Sequence, residues 1–112
     1  MTSVGAFVAT VLAVASALAA GASVPADRLS PERKASLVHL LRHDCGSCHG
    51  MRLLGGLGPP LTAQALEAKP GEMLVATVLY GRPGTPMPPW RGALSETEVR
   101  WLIDLLKSGE LQ

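Results

Sequence analysis

Aromatic residues are scarce in this chain of 112 residues, which has one Phe, one Tyr and two Trp. Phe7 lies in the leading apolar stretch, so only Tyr80, Trp90 and Trp101 remain to build a core downstream. Charge is missing altogether from residues 1–26, and every acidic and basic residue falls from Asp27 onward. The formal net charge is +1, with no long basic run and no aromatic–basic patch. That balance speaks against a nucleic-acid partner. Cysteine occurs only twice, at Cys45 and Cys48. No internal repeat follows the first segment and no stretch reads as a convincing strand. There is no Ser/His/Asp set, no pair of carboxylates and no phosphate-binding loop, so no catalytic constellation and no small-molecule substrate are expected.

Residues 1–22 form a run rich in Val, Ala and Leu, closing on Ala17-Leu18-Ala19 and Ala20-Gly21-Ala22. Small residues at these spacings suit signal peptidase, so a signal peptide is expected, with cleavage after Ala19 or Ala22 and a single domain over 23–112. The stretch lacks Lys and Arg before its apolar part. It is also close to the ~17-residue lower limit of a membrane span, so an uncleaved anchor is the rival reading. Both place the rest of the chain across the membrane. A mature domain of about 90 residues is marginal on its own apolar burial and calls for a staple such as a disulfide, a metal or a cofactor.

Four helices are predicted. The first spans about Pro31 to Asp44, with Ser30 as N-cap, Pro31 at the first helical position, and Leu37, Val38, Leu40 and Leu41 on one face. The second covers about Leu61 to Ala68. The third covers Glu72 to Tyr80, with Leu74, Val75, Val78 and Leu79 as its buried stripe. The fourth opens at Ser95, where Ser95 and Glu98 match the capping box, and Gly109 lies just past its end. Two loops rich in Gly and Pro, 51–60 and 81–92, separate them. The second cannot be regular helix or central strand.

The segment Cys45-Gly46-Ser47-Cys48-His49 reads C-x-x-C-H. Two thiols at this spacing can each add to a haem vinyl group, and the adjacent His49 then sits under the iron as proximal ligand. Competing readings are a disulfide or thioredoxin-like pair, zinc held by Cys45 and Cys48 with two of His39, His43 and His49, and chance occurrence. A thioredoxin-like pair would follow a strand and open a helix, and a zinc finger would need another order and spacing.

For the sixth iron position, Met87 is the expected ligand. It lies in Gly84-Thr85-Pro86-Met87-Pro88-Pro89-Trp90, whose prolines lower the cost of ordering the loop. A thioether there favours ferrous iron. Met51 is tethered beside His49 and Met73 reads as packing filler. His39 and His43 are alternative ligands, or ordinary polar residues on the exposed face of the first helix. Pro59 is expected to offer its carbonyl to the free N–H of His49, with a plain turn as the alternative. Trp90, Arg52 and Arg91 are candidate donors to haem propionates, or simply a packing Trp and solvated Arg side chains.

Taken together, Cys45-Gly46-Ser47-Cys48-His49, Gly58-Pro59-Pro60-Leu61, Met87-Pro88-Pro89 and the capped helix after Leu94-Ser95 resemble the class I cytochromes c. The resemblance implies an all-α cytochrome c fold of three to four helices around one covalent haem c, with His49 and Met87 as axial ligands. One departure concerns the crossing of the first and last helices, where that family uses Gly and aromatics. The corresponding places here look like Leu37, Leu41 and Leu105. Within the family, Gly55-Gly56-Leu57-Gly58-Pro59 and the stretch from Gly81 to Trp90 are similar to the small periplasmic cytochromes c55X. That similarity implies a periplasmic electron carrier with redox-protein partners, cytochrome cd1 nitrite reductase or its maturation machinery among them. A haem-containing assembly protein, or a gas-binding module from which Met87 departs, are the alternatives.

Overall fold

The computed structural model describes residues 28–112. The expected signal peptide and its cleavage positions, Ala19 and Ala22, lie outside the described residues. Helix α1 spans Pro31–Leu40. The Ser30 hydroxyl accepts from the Arg33 N–H at 3.1 Å, so the cap read from the sequence is formed. The chain does not leave the helix at Asp44, where the first helix was expected to end. It widens into a π-helical turn, Leu41–Cys45, in which the Gly46 N–H donates to the Leu41 carbonyl. It then regains α geometry in α2, Gly46–His49, and stops at Gly50. The cysteine motif is therefore built into the last turns of one long helical rod rather than into the loop behind it.

Helix α3 is short, Ala63–Leu66, with Thr62 rather than Leu61 at its entrance. The Thr62 hydroxyl accepts from the Ala65 N–H at 3.2 Å. Helix α4 runs Gly71–Tyr80 and α5 runs Glu96–Ser108. At α5 both halves of the capping box are formed between Ser95 and Glu98. Gly109 closes it in the left-handed conformation. The described residues hold helices and no strand.

Helices α1, α3 and α4 all pack on α5. This follows from its Val99, Leu102, Ile103 and Leu106 stripe, every member of which is buried. From α4, Val75 and Leu79 are buried, and Leu74 and Val78 are half-buried beside them. Leu37 and Leu41 are buried where α1 meets this core. Leu105 is only half-buried and lies outside the core cluster, so it is not the crossing residue. The last helix does carry an aromatic at the interface. Trp101 packs against the core, and the Lys34 ammonium of α1 lies 5.8 Å from its ring centroid. One turn away, Arg33 of α1 pairs with Glu98 of α5. Leucine burial, a cation–π contact and an ion pair thus join the first and last helices.

Candidate functional site

The helical rod from Pro31 delivers Cys45, Cys48 and His49 together at its end. Neither cysteine is bridged, and both are half-buried. Cys45 packs against the hydrophobic core. Burial, with a smaller contribution from the Asp44 charge, pushes its thiol up to about 11. A redox-active C-x-x-C pair needs the opposite, a thiol lowered toward neutrality at a helix N-terminus. The geometry and the electrostatics both disfavour the thioredoxin-like reading.

Behind the motif, the 51–60 loop folds back onto the open end of α2. The Gly58 N–H donates to the Cys48 carbonyl at 2.8 Å and the Gly55 N–H to the His49 carbonyl at 2.8 Å. These bonds satisfy carbonyls that the helix end leaves free. Leu53 turns inward at φ +61° and is buried among the core leucines. That conformation is costly for a branched side chain. It is held by hydrogen bonds from the Leu53 N–H to the Gly50 carbonyl and from the Leu61 N–H to the Leu53 carbonyl.

Loop closure brings Pro59 to His49, with Nδ1 lying 2.7 Å from the Pro59 carbonyl oxygen. A carbonyl can only accept, so Nδ1 carries the proton and Nε2 keeps its lone pair. Gly58 lies against the same ring. A Cβ there would stand 2.7 Å from Cε1 and Nδ1 of His49. In the sequence Gly58 figures only as part of the Gly58-Pro59-Pro60-Leu61 motif, with no role of its own against the imidazole. Its position directly before Pro59 was the available signal.

Met87 is half-buried in the second loop. Its carbonyl accepts from the Arg82 N–H at 3.2 Å and its N–H donates to the Thr85 hydroxyl at 3.3 Å. At the loop entrance Gly81 has φ +70°, and a Cβ there would meet the Met87 carbonyl oxygen at 2.7 Å. At the loop exit the Trp90 and Arg91 N–H groups donate to the Val78 and Leu79 carbonyls, pinning it to the end of α4.

The other candidates separate clearly. Met51 is 57% exposed and Met73, expected as packing filler, is 48% exposed. Trp90 is half-buried against the core. Arg91 lies 5.7 Å from the Tyr80 ring centroid rather than being simply solvated, and Arg52 is exposed. His39 and His43 are both exposed, on α1 and the π-turn. Among the described residues, no three His, Cys, Asp or Glu side chains gather as a metal-binding group, which leaves the zinc reading without its ligand set.

An unbridged C-x-x-C pair, an imidazole whose Nε2 lone pair is free and a glycine cradle beneath that ring fit a c-type haem. The sequence matches the family described as cytochrome c oxidase, cbb3-type, subunit III over residues 32–106. Cytochrome c55X of Pseudomonas aeruginosa is 66% identical over 79 residues, which cover 70% of this chain and 66% of that protein. Cytochrome c55X of Paracoccus denitrificans is 50% identical over 80 residues, covering 71% of this chain and 78% of that protein. The solved structure of the c-type cytochrome NirC superposes with a TM-score of 0.73 at 61% identity, over 74% of this chain and 98% of that one. A part of dihydro-heme d1 dehydrogenase of P. aeruginosa is also similar, at 34% identity over 60% of this chain and 14% of that protein. With the family matched across nearly all the described residues, and a helical architecture shared with NirC, the chain belongs to this cytochrome c family and, within it, to the c55X cytochromes.

Proposed function

We propose that this protein is an exported, monohaem c-type cytochrome that carries single electrons between redox proteins, with His49 and Met87 as its axial ligands. The observation that carries this reading is the His49–Pro59 hydrogen bond, which leaves the Nε2 lone pair free on the residue that follows the unbridged Cys45–Cys48 pair in the chain. Haem bound there supplies a one-electron iron couple. Cys45 and Cys48 hold it by thioethers, and the Pro59 carbonyl orients the imidazole and keeps it electron-rich. Met87 offers a soft, neutral sulfur that favours the reduced state. Its backbone bonds to Arg82 and Thr85 limit how far the thioether can stray. If His49 and Met87 both ligate the iron of a bound haem, they would leave it no open position for a substrate, which supports a carrier rather than an enzyme. The apolar segment 1–22 supports a periplasmic location.

The partner is cytochrome cd1 nitrite reductase or the proteins that mature it. One finding favours the maturation side. A domain similar to this chain forms part of dihydro-heme d1 dehydrogenase, and a dehydrogenase must pass its electrons on. The deciding experiment begins with the visible spectrum of the reduced protein from a periplasmic extract and a haem-stained denaturing gel. The purified holoprotein is then mixed with dihydro-heme d1 dehydrogenase or with the nitrite reductase. Rapid exchange with either establishes the carrier role and identifies the partner. A wild type that folds stably without haem overturns the reading.

A further inference from the structure

His39 and His43 stand apart from the haem site in chemistry. His39 is in the last turn of α1 and His43 is within the π-turn. Both are exposed, while Leu37 and Leu41, interleaved with them along the rod, are buried. Their ring centroids are 4.2 Å apart and the ring planes are inclined at 39°. No protein group among the described residues hydrogen-bonds to either ring, whereas the third histidine, His49, is tied to Pro59. Each neutral imidazole therefore presents an uncommitted nitrogen lone pair on the same solvent-facing strip. A centroid separation of 4.2 Å is compatible with one nitrogen from each ring reaching a single ion at the ~2.0–2.1 Å of a metal–imidazole bond.

We propose that His39 and His43 form a two-histidine clamp for a divalent transition cation, with water completing its coordination. Two neutral imidazoles select copper, nickel or zinc, copper most strongly, over magnesium or calcium, which require oxygen ligands. No third protein ligand joins the pair, since no larger His, Cys, Asp or Glu cluster exists among the described residues. The site is consequently open and its ion exchangeable. A bound ion would bridge the last turn of α1 and the π-turn that ends at Cys45, and so stabilise the folded rod by mass action.

Calorimetric titration of the haem-loaded protein with zinc chloride and copper chloride, and with magnesium chloride as control, tests this without reference to electron transfer. The expected result is saturable binding of one zinc or copper ion per chain, no magnesium binding, and loss of binding in both His39→Ala and His43→Ala. The thermal midpoint should rise with zinc in the wild type and stay unchanged in the variants. Both side chains are exposed, so the variants should retain their haem spectra. Binding that survives in either variant, or a wild type with no saturable binding, overturns the proposal. The clamp involves neither His49 nor Met87, so it can fail while the carrier reading stands, and the reverse also holds.

Discussion

Nδ1 of His49 donates its proton to the carbonyl of Pro59 across 2.7 Å, joining the end of the cysteine-bearing rod to the loop that follows it. Loop hydrogen bonds to the Cys48 and His49 carbonyls hold both sides of this contact in register. Ring orientation, tautomer and loop conformation are thereby set together.

Gly58→Ala tests that arrangement directly. The added Cβ would meet the His49 ring at 2.7 Å. Overpacking of this kind costs about 1–3 kcal/mol, and here the imidazole has to tilt away from its carbonyl partner. The variant should melt earlier, incorporate less haem and show an altered midpoint potential. Gly92→Ala is the matched control, because a Cβ there meets nothing within 4 Å. Equal melting and equal potentials in the two variants would remove Gly58 from the site.

Covalent attachment should depend on both thiols and on export. Cys45→Ala or Cys48→Ala should weaken the haem stain on a denaturing gel, and removing both should abolish it. Expression in the cytoplasm without residues 1–22 should yield little holoprotein.

Met87→Ala should remove the weak far-red charge-transfer band of the oxidised protein, admit water or an external ligand, and lower the midpoint potential. Met87→His should keep the iron low-spin while also lowering the potential, because imidazole stabilises ferric iron better than a thioether does. Met51→Leu and Met73→Leu, at exposed positions, should leave the band intact. Loss of the band in Met73→Leu with retention in Met87→Ala would reassign the ligand. A wild type that lacks the band and binds carbon monoxide rapidly would make it a gas-binding module instead.

Arg82 and Arg91 flank Met87 in the second loop and both are exposed. Neither takes part in an ion pair among the described residues. A positive rim steers an acidic partner, and salt screens the attraction. Stopped-flow electron exchange should slow as ionic strength rises, and Arg82→Glu should slow it at low salt while leaving the spectrum unchanged. Rates that stay flat across the salt range would exclude a charged docking rim.

The Arg33 guanidinium holds the Glu98 carboxyl below its ordinary value, chiefly through their hydrogen bond. Its folded-state pKa is depressed, so the stabilisation is present above the ordinary carboxylate range. It fades as pH falls through the depressed value, when the carboxylate is protonated. Arg33→Ala should cost about 0.5–1 kcal/mol at pH 7, and the deficit should shrink in acid. Urea unfolding of both proteins at neutral and acid pH measures this. A deficit that is constant with pH would mean that Arg33 acts by packing alone.

Much of this protein is determined by local sequence. Ser30 before Pro31 opens α1, and Ser95 with Glu98 opens α5, because a capping hydroxyl and the N–H it satisfies lie within one turn. The stripe of α5 follows from the 3.6-residue period, and C-x-x-C-H names its own chemistry because both thiols and the imidazole lie on adjacent turns. The tertiary structure decided the rest. The π-turn at Leu41–Cys45 is not legible in the apolar periodicity, because the rod ends at His49 and too few residues follow for the shifted phase to be read. The closeness of Gly58 to His49, the inward turn of Leu53 and the placement of Trp101 rather than Leu105 at the helix crossing depend on loops closing against a core. Closure is decided by the packing of groups distant in sequence, a property that no local run of residues carries.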